Sequence, residues 1–228
     1  MPFKRQEYRF KVIIVGASRA GKSCLLRALC HESFVNTHDV TVGVDYGTTL
    51  IKEGNTQFKF CIWDTSGSHT FMPIVKSYFN QSVAAILVFD LTNPDSFKNS
   101  IEWYMHYIQI CPDNFTILVG NKQDLIETDK SEDIDCLTYG KIGKTPINNF
   151  IKKYNLPYME VSAKTQKNID DITLVVINDT KAKLSNGKLS VNKEQGITLH
   201  TLDNFDIDYG TPISKSKRKE SLACCTIS

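Results

Sequence analysis

The apolar run Val12-Ile13-Ile14-Val15 leads without a break into Gly16-Ala17-Ser18-Arg19-Ala20-Gly21-Lys22-Ser23, and the helix-forming stretch Cys24-Leu25-Leu26-Arg27-Ala28-Leu29 follows. A strand, a G-x-x-x-x-G-K-S loop and a helix in that order aim backbone N–H groups and a helix N-terminus at one anion. The glycines let the main chain curl around phosphates, the Lys22 ammonium suits the β and γ oxygens, and the Ser23 hydroxyl suits Mg²⁺. This spacing predicts a nucleoside triphosphate site contacted by Ser18, Arg19, Ala20, Gly21, Lys22, Ser23 and Cys24.

The rest of the chain alternates strand-like and helix-like segments. Phe58-Lys59-Phe60-Cys61-Ile62-Trp63 alternates with the period of a strand and delivers Asp64, a second Mg²⁺ candidate, followed by Thr65-Ser66-Gly67. Ala84–Phe89 and Phe115–Val119 are continuous apolar runs of the kind buried in a parallel sheet, and helix-like stretches cover residues 95–110, 145–154 and 168–184. Right-handed crossovers between such strands predict an α/β fold: a mostly parallel central sheet with helices on both faces and the ligand at the C-terminal edge of the strands. Residues 40–47 and 56–63 are expected to form the one antiparallel edge pair, with Glu53-Gly54-Asn55 as the turn.

The strand ending at Val119 presents Gly120-Asn121-Lys122-Gln123-Asp124. A carboxylate at Asp124 can accept from the ring N–H and the exocyclic amine of guanine, a pair that adenine does not offer. Asn121 is placed to tie this loop to the phosphate loop, and the stem of Lys122 to cover the purine face. Ser162-Ala163-Lys164, after the short strand Tyr158–Val161, can present a backbone N–H to the guanine carbonyl. The ordered set argues for GTP and GDP against ATP.

With these motifs in place, residues 8–184 resemble the Ras superfamily of small GTPases, and within it the Rab branch, through Thr41-Val42-Gly43-Val44-Asp45-Tyr46, Phe60–Asp64, Val88-Phe89-Asp90-Leu91-Thr92 and Leu118–Lys122. The resemblance implies a small G-domain in which Thr41 joins Ser23 and Asp64 at Mg²⁺, Phe34 packs near the guanine, and Gly67 approaches the γ-phosphate. It further implies that Lys22, Thr41, Gly67 and position 68 carry hydrolysis, that Tyr46, Trp63 and Tyr78 face effectors, and that exchange factors and GDP-dissociation-inhibitor-like proteins are partners. A surface role and a half-buried place in the sheet are both open for Trp63 and Tyr46.

The chain departs from this pattern at the second switch. Asp64-Thr65-Ser66-Gly67-Ser68-His69 stands where the family has Asp-Thr-Ala-Gly-Gln-Glu, so Ser68 replaces the water-orienting glutamine and slow hydrolysis is expected. His69 is the neighbouring substitute, though a solvent-facing ring is the expectation. Ser66 puts a hydroxyl beside the γ-phosphate, and Arg19 offers a guanidinium in cis or stays solvated.

A chain of 228 residues, 41% of them apolar, can bury one core, which assigns residues 1–184 to the G-domain and residues 185–228 to a flexible tail. Residues 127–143 are an expected surface insert. A net charge of +2 gives no case for nucleic acid, and seven cysteines without a C-x-x-C pair and without a signal peptide argue against disulfides or structural zinc. Cys24, Cys30 and Cys61 read as small core residues. The tail passes from acidic Asp203, Asp206 and Asp208 to basic Lys215-Ser216-Lys217-Arg218-Lys219 and then Cys224-Cys225-Thr226-Ile227-Ser228. Paired geranylgeranylation of Cys224 and Cys225, or farnesylation of Cys225 with palmitoylation of Cys224, both provide two anchoring signals. The expectation is a monomer, lipid-anchored on the cytoplasmic face of an intracellular membrane.

Overall fold

The computed structural model describes residues 5–36, 41–127 and 142–202. Its strands are β1 (Arg5–Gly16), β2 (Val44–Glu53), β3 (Thr56–Thr65), β4 (Ala84–Asp90), β5 (Phe115–Asn121), β6 (Tyr158–Glu160) and β7 (Ile197–Leu202). The helices are α1 (Lys22–Leu29), α2 (Met72–Ser77), α3 (Pro94–Ile110), α4 (Gln123–Glu127), α5 (Lys144–Tyr154) and α6 (Ile169–Ser185). The strands lie in the order β2-β3-β1-β4-β5-β6, parallel from β3 to β6 and antiparallel at β2.

The two faces of the sheet follow from the period of two in β1. Val12 and Ile14 point to a core shared with Leu25, Leu29, Ile172 and Val176 of α1 and α6, whereas Ile13 and Val15 join Trp103, Tyr107 and Phe150 of α3 and α5. Every residue of β4 is buried, as a central parallel strand covered on both faces requires. The starts of helices follow local chemistry too. Asn93 Oδ1 accepts from the backbone N–H of Asp95 and Ser96, and Pro94 stands in the first turn, so α3 begins there.

The chain passes from β3 on one side of β1 to β4 on the other, so the loop after β1 opens at the crevice where the winding changes direction. That crossover puts the G-x-x-x-x-G-K-S loop beside the ends of β3, β4 and β5.

Several expectations are corrected. The antiparallel pair is Val44–Glu53 with Thr56–Thr65, centred later in the first strand than residues 40–47, because Thr48 to Lys52 continues the ladder as far as the Gly54-Asn55 turn. That pair is also not the only antiparallel one. The residues after Ser185 do not begin a structureless tail: a short 3₁₀ turn at Lys193–Gln195 precedes β7, which pairs antiparallel with the first half of β1, from Arg5↔Leu202 to Phe10↔Ile197. Ile197 is fully buried in the α1/α6 core. Gly196, at φ 76°, is the entry point; a Cβ there would meet Gln81 O at 2.0 Å, so the return of the chain depends on that glycine. Among the described cysteines, Cys24, Cys30 and Cys61 are only partly buried, and Cys111 is the buried one. Asp203 to Ser228, with Cys224 and Cys225, and residues 128–141 of the expected insert lie outside the described residues. No helix among the described residues is long and apolar enough to cross a membrane.

Candidate functional site

The phosphate loop closes on its own lysine. Lys22 is 6% exposed, and its Nζ donates to Gly16 O at 3.1 Å and Ala17 O at 2.8 Å. Burial pushes its pKa down to about 8, against the opposing pull of the Asp64 charge. Ser18 and Arg19 are exposed at the loop tip, Ala20 is buried and Cys24 half-buried in the first turn of α1. Arg19 adopts φ 63°, a left-handed conformation that costs a side-chain-bearing residue about 1–2 kcal/mol.

Three oxygen donors from three parts of the chain meet beside Lys22. Ser23 Oγ donates to Asp64 Oδ2 at 2.5 Å and lies 2.9 Å from Thr41 Oγ1. The other Asp64 oxygen, Oδ1, is buried without a partner, and burial pushes the carboxyl up to about 6, with the Ser23 hydrogen bond and Lys22 acting against it. Two hydroxyls and a carboxylate with one buried oxygen unsatisfied are hard donors of the type that Mg²⁺ takes. The residues therefore fit that ion.

The segments around Thr41 and Gly67 are tied together, since Ser66 N–H donates to Gly43 O at 2.9 Å. Gly67 runs so close to the loop that a Cβ on it would stand 2.4 Å from Ser18 N and 2.5 Å from Lys22 Nζ. The Ser66 hydroxyl accepts from Ser68 N–H at 3.3 Å, and Ser68 Oγ accepts from Thr70 N–H at 3.4 Å, capping the short turn His69–Phe71. His69 is exposed, its side chain 56% accessible. Its ring stacks on Trp103 of α3, centroids 5.7 Å apart, with Nε2 3.5 Å from Glu102 Oε2.

On the base side, Asn121 Nδ2 donates to Ala20 O at 3.1 Å and its Oδ1 accepts from Ala163 N–H at 3.2 Å, which bolts three loops together. Lys122 Nζ donates to Arg19 O at 3.0 Å and pairs with Asp90 Oδ2 at 2.6 Å, so its stem crosses between the β4 and β5 ends and the phosphate loop. Asp124 Oδ1 accepts from Ser162 Oγ at 2.6 Å, and Ser162 is buried while Lys164 is exposed. Phe34 lies partly exposed beyond α1. Sequence reasoning missed Asp90 as the anchor of Lys122; a carboxylate ending an otherwise apolar run was the available signal. Tyr46, Trp63 and Tyr78 form a chain of rings, with centroids 4.9 and 5.2 Å apart and Tyr46 47% exposed.

A sheet whose first strand ends in this loop, with a carboxylate supplied from β3 and a base-side frame from β5 and β6, defines a phosphate-loop nucleotide-binding domain. The model of the Ras family matches residues 11–182, and the chain belongs to that family. Its Ras-family domain makes it a GTP-binding switch; family members are small GTPases that bind GTP and GDP, generally with Mg²⁺.

Proposed function

We propose that this chain is a Rab-type switch of intracellular membrane traffic that stays long in its GTP state. The observation that supports the switch is the Ser23–Asp64–Thr41 cluster coupled, through Ser66 and Gly43, to both segments facing the phosphates. A γ-phosphate there would order residues 41–46 and 67–79 together, and its loss would release them. Mg²⁺, held by Ser23, Thr41 and Asp64, would supply charge neutralisation at the phosphates. Lys22 would position the same oxygens, and Ser18 to Cys24 would surround them with backbone N–H groups. Asn121, Lys122, Asp124 and Ser162 to Lys164 would frame the guanine, with Phe34 beside it.

Slow hydrolysis is supported by the second switch. Ser68 is short and engaged as a turn cap, and His69 is held on α3, so neither side chain is placed as a water-orienting group. The same observation favours a second reading, in which the chain is a catalytically idle GTP-binding scaffold governed by nucleotide exchange or membrane extraction. The contiguous rings of exposed Tyr46 and half-buried Trp63 and Tyr78 suit an effector surface, since clustered aromatic side chains dominate binding energy at protein interfaces. Exchange factors and GDP-dissociation-inhibitor-like proteins complete the proposed cycle.

Two experiments test the reading. Asp124→Asn should weaken GTP and improve binding of xanthine nucleotides, measured by competition against a fluorescent guanine nucleotide; unchanged guanine preference would overturn the role of Asp124. Cys224→Ser with Cys225→Ser should move the full chain from the membrane to the soluble fraction of cells, because either lipidation scheme needs these thiols. Continued membrane residence of that double variant would place the anchor elsewhere.

A further inference from the structure

Lys11 joins β7 to the end of the second switch. Its backbone N–H donates to Gly196 O at 3.0 Å and its carbonyl accepts from Val83 N–H at 2.8 Å, so β1 changes here from pairing with β7 to pairing with β4. Its Nζ donates to Asn80 O at 2.6 Å and stands 5.9 Å from the centroid of the Trp63 ring, which packs on Tyr78. Asn80 follows directly on residues 67–79, the stretch that a γ-phosphate would order. Burial lowers the pKa of this ammonium, so a displaced Asn80 carbonyl would leave a partly desolvated cation without that acceptor. A second contact bears on the same place. Gly196 is seated so closely on Gln81 that a Cβ would meet the Gln81 carbonyl oxygen at 2.0 Å, and Gln81 itself is held at φ 61°, in the left-handed region. A side-chain-bearing residue keeps such a conformation only where its neighbours fix it. The packing beside this contact is open: a groove of about 300 Å³, lined by Tyr46, Trp63, Gln81, Lys193 and Thr198 among others, leaves the rings room to shift relative to β7.

We propose that β7 is a strap coupled to the nucleotide through Lys11, docked firmly while the second switch is drawn onto the phosphate loop and loosened when the switch is released. The direction follows from what occurs together in the structure. β7 is paired along its whole length while Ser66 N–H is bonded to Gly43 O and Gly67 lies against Ser18 and Lys22, the arrangement that a γ-phosphate would favour. Displacing the switch would move Tyr78 and the Asn80 carbonyl, withdrawing ring and acceptor from Lys11 and freeing Gln81 to leave its strained conformation. Both changes unseat Gly196. Loosening of β7 would add residues 186–202 to the stretch between the folded domain and Cys224. By linkage, a docked strap would in turn favour GTP over GDP. The inference rests on the GTP-binding switch of the family, and on neither slow hydrolysis nor a role in membrane traffic.

The test is hydrogen–deuterium exchange, read by mass spectrometry on the full chain loaded with Mg²⁺ and either GDP or a non-hydrolysable GTP analogue. Amides of residues 197–202 should exchange at least about 5-fold more slowly with the analogue, the lower end of the usual coupling between sites, while those of β5 exchange alike in both samples. Lys11→Met keeps an unbranched apolar side chain beside Trp63 but has no ammonium for Asn80 O. It should remove the difference between nucleotides and leave β5 protected. Equal exchange of residues 197–202 in the two native samples would make β7 a purely structural strand and overturn the proposal. Slower exchange with GDP, or the full native difference in Lys11→Met, would overturn it as well. The nucleotide content of the same samples separates this inference from the reading beneath it. A chain that takes up neither nucleotide fails as a switch and the coupling falls with it, whereas a loaded chain without the difference fails in the coupling alone.

Discussion

Lys22→Ala lowers the affinity for GTP by about 10²–10³-fold, because truncating one member of a buried, charge-assisted contact costs about 2–5 kcal/mol. The structure shows why the loss is large. The ammonium is almost wholly enclosed by the loop, where it has only the carbonyls of Gly16 and Ala17 and the nearby Asp64 for compensation. A site that has already desolvated its cation binds phosphate strongly and has no water to substitute for it. The fold should survive, since the loop is also held by Asn121 and Lys122. A pH signature accompanies the effect. Lys22 in the free protein sits at about 8, and bound phosphate would raise that value, so GTP affinity falls as pH rises above 8 in the native chain and Lys22→Ala lacks this component. Fluorescent-nucleotide titrations from pH 7 to pH 10 give both results; equal affinities for the two proteins, or parallel pH profiles, would remove Lys22 from the phosphate site.

Much of this architecture is legible in the sequence because its signals are local and mutually consistent. The runs Ala84–Phe89 and Phe115–Val119 are central parallel strands, and the helix-like stretch 95–110 falls within α3. β7 was hidden for the opposite reason. Ile197 to Leu202 is a short run after several polar residues, and what makes it a strand is the uncovered N-terminal half of β1, a partner nearly two hundred residues earlier. Nothing in the six residues themselves names that partner.

The candidate site divides in the same way. The types and order of Lys22, Ser23, Asp64, Asn121 and Asp124 specify a chemistry, so these residues could be named before any fold was known. The fate of an unusual residue could not. His69 was expected to face solvent and is exposed, but that its ring lies against Trp103 with Glu102 beside it depends on the packing of α3. Lys122 shows the intermediate case: its position in the motif was evident, but the salt bridge to Asp90 depends on β4 and β5 being neighbours in the sheet.

Ser68→Gln should raise the rate of GTP hydrolysis by about 10²-fold, the lower end of what a positioned proton-transfer group contributes. A glutamine at this position has the length and the paired donor and acceptor to orient an attacking water, which a serine hydroxyl capping Thr70 N–H lacks. Loss of that cap costs about 0.5–2 kcal/mol in a partly exposed turn, too little to threaten the domain. Single-turnover hydrolysis of bound GTP with Mg²⁺, native chain against Ser68→Gln, is therefore the decisive measurement. The account predicts a barely detectable native rate that rises in the variant, which defines a switch held in the GTP state by the loss of one side chain. A substantial native rate that Ser68→Gln leaves unchanged would contradict it and assign the water to another group, with Arg19 and His69 the first to be substituted.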